Sequence, residues 1–583
     1  MNNKNIKERI INIIRNSGIL LLVNIAMIIS ITSILFFFKV SITKFHLPII
    51  FLLVCTLFIF IYRKKEKIMD TIIASILAII VFIITVNGVS NIYDLTVDGN
   101  SYHKLAVGSL KNGWNPVYEK VEEFNIEKGN VVEVDTKNTK NHLWINHYTK
   151  GPWIFSGVIY AFTENIESGK IFTILMMYST FAIVFSYLSK KTNIVVSIII
   201  ALLLVINPIT IVQMFNYYGD GLMGLCIFTI IVSLISITDI KSDTDNLTKF
   251  ITLVSAIIIC VNIKFTGLAF AGIFCLAFYI YWLVKVYGKE EKEEFYKILK
   301  KLTIFYTIVV VFSVGIIGFT SYVKNTIEKG HPFYPLYGKG KVDIITTMQP
   351  NYFKELGTIK KFCISIFSTS ENVCYSKTGE GDYADLKLPF TYTEDEIDNF
   401  NIPDMRIGGF GPLFSGIIIL SSIAIITLIV KCIKEKKYEI LIPLVLVLGC
   451  ITILILIIEG SWWARYIPYF YLIPIIAITF LYLNKNKVSN ICAIILTIII
   501  AINAKFIWDA NLENYEKNGG YISEAVETFI EYAEEKKKNN ENIEIKLNEK
   551  SFQSVLYNLD DLGIKVVENE NLDTKLECYF FKY

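Results

Sequence analysis

Apolar residues run along this chain in long blocks separated by short polar turns. The blocks lie near residues 19–38, 48–62, 71–89, 170–188, 193–210, 221–238, 250–262, 267–284, 302–320, 412–430, 440–458, 466–483 and 488–507. A helix of about twenty apolar residues crosses the hydrocarbon of a bilayer. The pattern therefore predicts an all-α polytopic membrane protein with about 13 transmembrane helices. Three polar intervals are much longer than a turn: about 90–169, 321–411 and the tail 508–583. The tail mixes a helical period (Ile522 to Tyr532) with strand-like runs (Ile543 to Leu547, Ile564 to Val567, Glu577 to Phe581), which predicts a small α/β domain. The expected division is two leading helices over 1–70, a helical catalytic unit over 71–507 and the tail domain over 508–583. The leading pair reads as an addition to the unit that begins at residue 71.

Loop charge sets the orientation, because Lys and Arg resist translocation. Lys4, Lys7, Arg9 and Arg15 place the N-terminus inside, and threading from there keeps Arg63-Lys64-Lys65, Lys190-Lys191, Lys300-Lys301, Lys436-Lys437 and Lys485 inside as well. The three long intervals then lie on the extracytoplasmic face of a cell membrane. The first apolar run lacks a following small-residue cleavage site and reads as a retained helix.

Composition narrows the class. With 53% hydrophobic and 19% charged residues the chain is too apolar for a soluble protein. A net charge of +3 spread over 583 residues offers no face for nucleic acid. The ten cysteines fall mostly within apolar runs. Cys363 and Cys374 share one extracytoplasmic interval, where a disulfide and two free thiols are equally compatible with the spacing.

Ionisable residues collect at the extracytoplasmic ends of the spans, as expected for an enzyme acting on a lipid-linked substrate rather than for an ion-coupled transporter with charges at mid-depth. The stretch expected to carry the chemistry is Asp98 to Pro116. Tyr102, Leu105, Ala106 and Leu110 recur at helical spacing, Gly113 ends that helix and Asn115-Pro116 turns the chain. Asp98 just ahead of it has two readings, a general base held beside the membrane or a helix N-cap. Arg465 offers a planar fork for phosphate, and Lys150 and Lys264 offer point charges. Trp462 and Trp463 fit a membrane interface or a sugar-stacking wall. Tyr102, His103, Asp220, His331 and Glu459 complete the candidate substrate pocket. His103, His142 and His147 have imidazoles suited to a divalent metal, but their spacing matches no closed site, and no cofactor is fixed by sequence.

These residues resemble, by pattern, the multispanning glycosyltransferases of the GT-C superfamily, of the protein mannosyltransferase and aminoarabinose transferase type. Asp98-Gly99-Asn100-Ser101-Tyr102 followed by Gly113-Trp114-Asn115-Pro116 is similar to that family's Asp-Glu-x-x-Tyr helix and its exit, with glycine at the second acidic position. His147-Tyr148-Thr149-Lys150-Gly151-Pro152-Trp153, Asp220, Asn262-Ile263-Lys264-Phe265-Thr266-Gly267, His331-Pro332-Phe333-Tyr334-Pro335-Leu336 and Trp463-Ala464-Arg465-Tyr466-Ile467-Pro468 resemble later family segments in the same order. The resemblance implies a polyprenyl-phosphate-linked sugar as donor, a membrane lipid environment, and a glycan, lipid or protein acceptor. It implies Asp98 as base. The rival classes are a transporter or flippase of a lipid-linked or polar solute, and a membrane glycan ligase or polymerase.

Overall fold

The structure, a computed structural model, describes residues 3–62, 68–238, 243–287, 292–371, 384–484 and 486–583. Cys374 and the basic cluster at Arg63 lie outside the described residues. Among the described residues ten helices are long and apolar enough to cross a membrane, from Ile6–Phe37 to Lys487–Lys538, and three shorter apolar helices, His46–Tyr62, Ile194–Val205 and Pro468–Leu483, accompany them. Each of the predicted apolar blocks coincides with one of these helices. The chain is a multi-pass membrane protein, and its architecture is all-α with a small C-terminal sheet.

The packing shows no break at residue 70. The first helix is mostly buried, lying against Ile171–Leu188, Ile68–Val89 and the helix ending at Ile263. A helix enclosed on all sides by neighbours must be apolar all round, which is why its sequence shows almost no amphipathic period. The first helix of the leading pair thus packs inside the bundle.

The last span does not stop at the end of its apolar run. Lys487–Asn514 continues through a π-helical turn, Tyr515–Gly519, into Gly520–Lys538. This continuous rod carries the C-terminal domain. Its three-stranded sheet has Glu544–Leu547 in the centre, parallel to Val567–Glu568 and antiparallel to Phe581–Lys582. The two edge strands pair over only two residues each, so they are shorter than the predicted runs and begin later. Ile522, Phe529, Ile545 and Phe581 form the domain's own core.

The short helix Val555–Asp561, which the hydrophobic pattern does not reveal, folds back onto the first long loop. Ser554 Oγ donates to the carbonyl of Asn100. Tyr557 Oη donates to Asn130 Oδ1 at 2.7 Å, and Asp561 accepts from Tyr160 Oη at 2.5 Å and from the amide of Ile166 at 2.8 Å. Beneath it lies a buried ionic network. Glu167 Oε1 accepts from Lys104 at 2.6 Å and from Asn558 at 2.9 Å, and Glu167 Oε2 accepts from Lys170 and from the amide of Asp94. Asp94 in turn accepts from the amide and hydroxyl of Thr96 and from the amide of Tyr217. Dry charges of this kind are tolerated only when each is paired.

Candidate active site

The network fixes the segment that presents Asp98. Thr96, held by Asp94, is the residue that caps the helix. Its Oγ1 accepts from the amide of Gly99 at 3.0 Å and its carbonyl accepts from the amide of Asn100 at 3.1 Å. Asp98 already has helical backbone angles (φ −63°, ψ −38°) and makes no side-chain capping bond. The N-cap reading of Asp98 is therefore corrected: Thr96, held by Asp94, takes that role two residues earlier in the chain. The side chain of Asp98 is half-buried and receives one hydrogen bond, from Tyr102 Oη at 3.3 Å. Gly99 has no room for a larger residue, because a Cβ there would lie 2.1 Å from Asp94 Oδ2.

Four other elements converge on this carboxylate's surroundings. Lys264 is the one residue between the helix ending at Ile263 and the helix Phe265–Tyr287. The hairpin is this tight because Gly267 packs on the preceding helix, where a Cβ would meet the carbonyl of Cys260 at 2.0 Å. Lys264 Nζ donates to Asp220 Oδ1, at the start of the span Asp220–Thr238. Gln213 holds the other side of Asp220, donating to Oδ2 at 3.3 Å and accepting from the Asp220 and Gly221 amides. Arg465 lies 3.9 Å from Asp220 Oδ2 and 2.9 Å from Asp404 Oδ1. Its guanidinium stacks on Trp463, 4.5 Å from the ring centre, with Tyr218 and Tyr466 at 5.3 Å. The close approach to Asp404 lacks hydrogen-bond alignment, so Arg465 Nε and Nη1 are buried with no hydrogen-bond partner.

His103 stands on the same surface. Its Nδ1 accepts from the Trp153 indole at 2.7 Å, and an indole N–H can only donate. The proton of the neutral ring therefore sits on Nε2. Burial, helped by the charge of Lys264, pushes this imidazole down to about 3, so it remains a neutral donor at physiological pH. Asp404 behaves in the opposite way. Burial, reinforced by Asp98 and Asp220 and resisted by Arg465 and Arg406, pushes its carboxyl up to about 6.

Asp98, Tyr102, His103, Asp220, Lys264 and Arg465 are thus brought together. Lys150, His331 and Glu459 are not. Lys150 is buried, and its Nζ donates to the carbonyls of Asn146 and Tyr148 at 2.9 Å each, closing the end of the helix Asn141–His147. That removes it as a phosphate ligand. His331 Nδ1 accepts from the amide of Phe333 at 3.1 Å and holds its own turn together. Glu459 is exposed and its charge acts on Lys361. His147 pairs with Asn325 at 2.7 Å, away from His103. Among the described residues no group of three His, Cys, Asp or Glu side chains is arranged around a metal ion. Trp462 and Trp463 are 2% and 1% exposed and stacked on each other, with Phe353 edge-on to Trp462, so they are core residues and not an interfacial belt.

Sequence reasoning missed Asp404, Arg406, Gln213 and Tyr218. Asp404 and Arg406 carried a usable signal: opposite charges two residues apart beside Gly408-Gly409, just before the span that begins at Phe414.

No protein-family model matches the chain. No curated protein matches it either. Among solved structures, the chain is similar to the crystal structure of ArnT from Cupriavidus metallidurans in the apo state, at 10% identity and a TM-score of 0.43 over 84% of each chain.

Proposed function

We propose that the chain is a membrane glycosyltransferase that moves a sugar from a polyprenyl-phosphate donor to an acceptor on the extracytoplasmic side. One observation carries the reading. An accessible carboxylate with a single long hydrogen bond, Asp98, shares a surface with a guanidinium whose Nε and Nη1 lack hydrogen-bond partners. Buried donors without partners are rare and call for a ligand. The family motifs that carry Asp98, Asp220, Lys264 and Arg465 in the sequence supply four members of this surface, which supports the resemblance.

In this reading Arg465 and Lys264 bind the donor phosphate, Arg465 through its fork and Lys264 as a point charge. The acceptor hydroxyl attacks the anomeric carbon, the bond from that carbon to the phosphate oxygen breaks, and the electron pair leaves on the phosphate. Asp98 takes the acceptor proton. A phosphate leaves as a stable anion, so the second carboxylic acid of the glycosidase scheme is not needed. Neutral His103 donates from Nε2 to a sugar oxygen, and Asp220 holds Lys264 and Arg465 in place.

The test is transfer by membranes containing the full chain, given radiolabelled polyprenyl-phosphate sugars with and without chelator. Incorporation of label into an extractable acceptor, lost in Asp98→Asn, supports the reading. Membranes that use no polyprenyl-phosphate sugar sink it.

A further inference from the structure

A cavity of about 240 Å³ opens next to the charged surface, and its lining carries no charged side chain. Its walls are Leu95 and Thr96, which lead into the helix of Asp98, Pro403, which precedes Asp404, and the rod of the last span at Asn511 and Asn514. Asn401, Asn518 and Tyr579 stand at its rim, Tyr579 from the C-terminal domain. Gln213 joins this wall to the charged surface, donating to the carbonyl of Pro403 at 3.4 Å and to Asp220 at 3.3 Å.

The cavity is built for a neutral partner rich in hydrogen-bonding groups. Asn511 is 3% exposed, and its side-chain amide makes no hydrogen bond among the described residues while lining the cavity. A buried amide with two donors and an acceptor unused is matched by a ligand that both donates and accepts. The rim amides are already held in place. Asn514 donates to the carbonyl of Asn401 at 2.7 Å and accepts from Asn518 at 2.6 Å. Their remaining N–H groups and lone pairs are therefore preoriented, and the rings of Tyr515 and Tyr579 add aromatic surface. A phosphate would find no cation here, and a purely apolar chain would strand the amides. The volume is below the roughly 300–1,000 Å³ of sites for drug-sized ligands, which suits a single ring.

We propose that this asparagine-lined cavity binds a neutral sugar ring of the acceptor, beside the carboxylate that takes its proton. The proposal rests on the glycosyl-transfer reading for the word acceptor, and on the cavity alone for the word sugar. Phosphate and acceptor then occupy separate halves of one site, the charged half assembled from loops and span ends, the uncharged half shared by the loops, the rod and the C-terminal domain.

The experiment is saturation-transfer NMR on the full chain in nanodiscs, with methyl glycosides of glucose, galactose, mannose and N-acetylglucosamine as probes. At least one should bind. Asn511→Leu should weaken that binding roughly tenfold, the size of one well-made hydrogen bond. If Asn511→Leu does not fold, Asn518→Ala on the exposed rim should still weaken it about threefold. No binding by any glycoside, or binding unchanged in both variants, overturns the proposal. A second arm carries the same hexose on a diacylglycerol. Tighter binding than the free glycoside assigns the sugar to a glycolipid, and equal binding assigns it to a free glycan. The two readings fail separately. Glycoside binding without transfer from any donor removes the reaction and leaves the cavity, whereas transfer with acceptor KM unchanged in Asn511→Leu and Asn518→Ala removes the cavity and leaves the reaction.

Discussion

Two clusters of carboxylates and cations lie within four residues of each other in the sequence, at Asp94 and Asp98, and they are built to opposite ends. In the first, Asp94, Lys104, Glu167 and Lys170 are buried, and both oxygens of both carboxylates have donors. In the second, Asp98 has one long bond and Arg465 keeps two nitrogens without hydrogen bonds. The chemistry of the groups is the same. What separates a frame from a reaction site is whether the hydrogen-bonding capacity is closed within the protein or left for something else.

The largest expected effect falls on the open cluster. Asp98→Asn keeps the size and the hydrogen bond to Tyr102 but removes the proton acceptor, so transfer should fall by roughly two to four orders of magnitude with thermal stability unchanged. Normal transfer by this variant would erase the distinction between the clusters. Glu167→Ala is the matching cut in the closed cluster. It strands two buried lysines and should cost about 3–5 kcal/mol, read as a collapse of the monodisperse peak on heating in detergent. A protein that keeps its melting temperature after this change would show that the network is not the frame.

A smaller effect is expected at Arg465. Arg465→Lys keeps the charge and loses the planar fork, so donor kcat/KM should fall about tenfold to a hundredfold while acceptor KM stays put. Below that comes a pH effect. The Asp404 carboxyl sits near 6, above its ordinary value of 3.8. It therefore takes up a proton as pH falls through 6, releasing Arg465 from a competing charge. Donor KM should drop a fewfold, by about 3 times, between pH 7 and pH 5, and Asp404→Asn should flatten the profile. The smallest effect is at Lys150. Its replacement by Met should leave donor KM within about twofold and lower stability by about 1 kcal/mol, because only two carbonyl contacts are lost. A large rise in donor KM would return Lys150 to the phosphate site.

The bundle was legible because a bilayer imposes length and apolarity on each span, and both are written locally in the chain. The open cluster was legible in part for a similar reason. Asp98, Asp220, Lys264 and Arg465 each sit at a span end or in a short loop, so the membrane restricts where they can go. Asp404 sits in a long loop, whose fold depends on contacts with distant residues, and nothing local announces that it meets Arg465. Lys150 and the paired tryptophans show the same limit from the other side. A lysine after a helix reads as a cation for a ligand until its bonds to Asn146 and Tyr148 are seen. Two tryptophans at a span end read as an interfacial belt until Phe353 is found packed on them. The helix Val555–Asp561 was hidden because it is only seven residues long, too short for Val555 and Leu559 to show a helical period among the polar contacts of Ser554, Asn558 and Asp561.

The π turn at Tyr515–Gly519 sets an angular phase. Each residue of a helix turns the chain by about 100° and advances it about 1.5 Å. Deleting one residue of the regular helix Lys487–Asn514 ahead of this turn would rotate everything beyond it by about a quarter of a circle relative to the membrane. Ser554 would swing off Asn100, Asn558 off Glu167 and Asp561 off Tyr160, although none of the three is near the deletion in sequence. The rod is thus an indexing shaft, and the angle at which it delivers the C-terminal domain is a property the membrane part and the tail must agree on residue by residue.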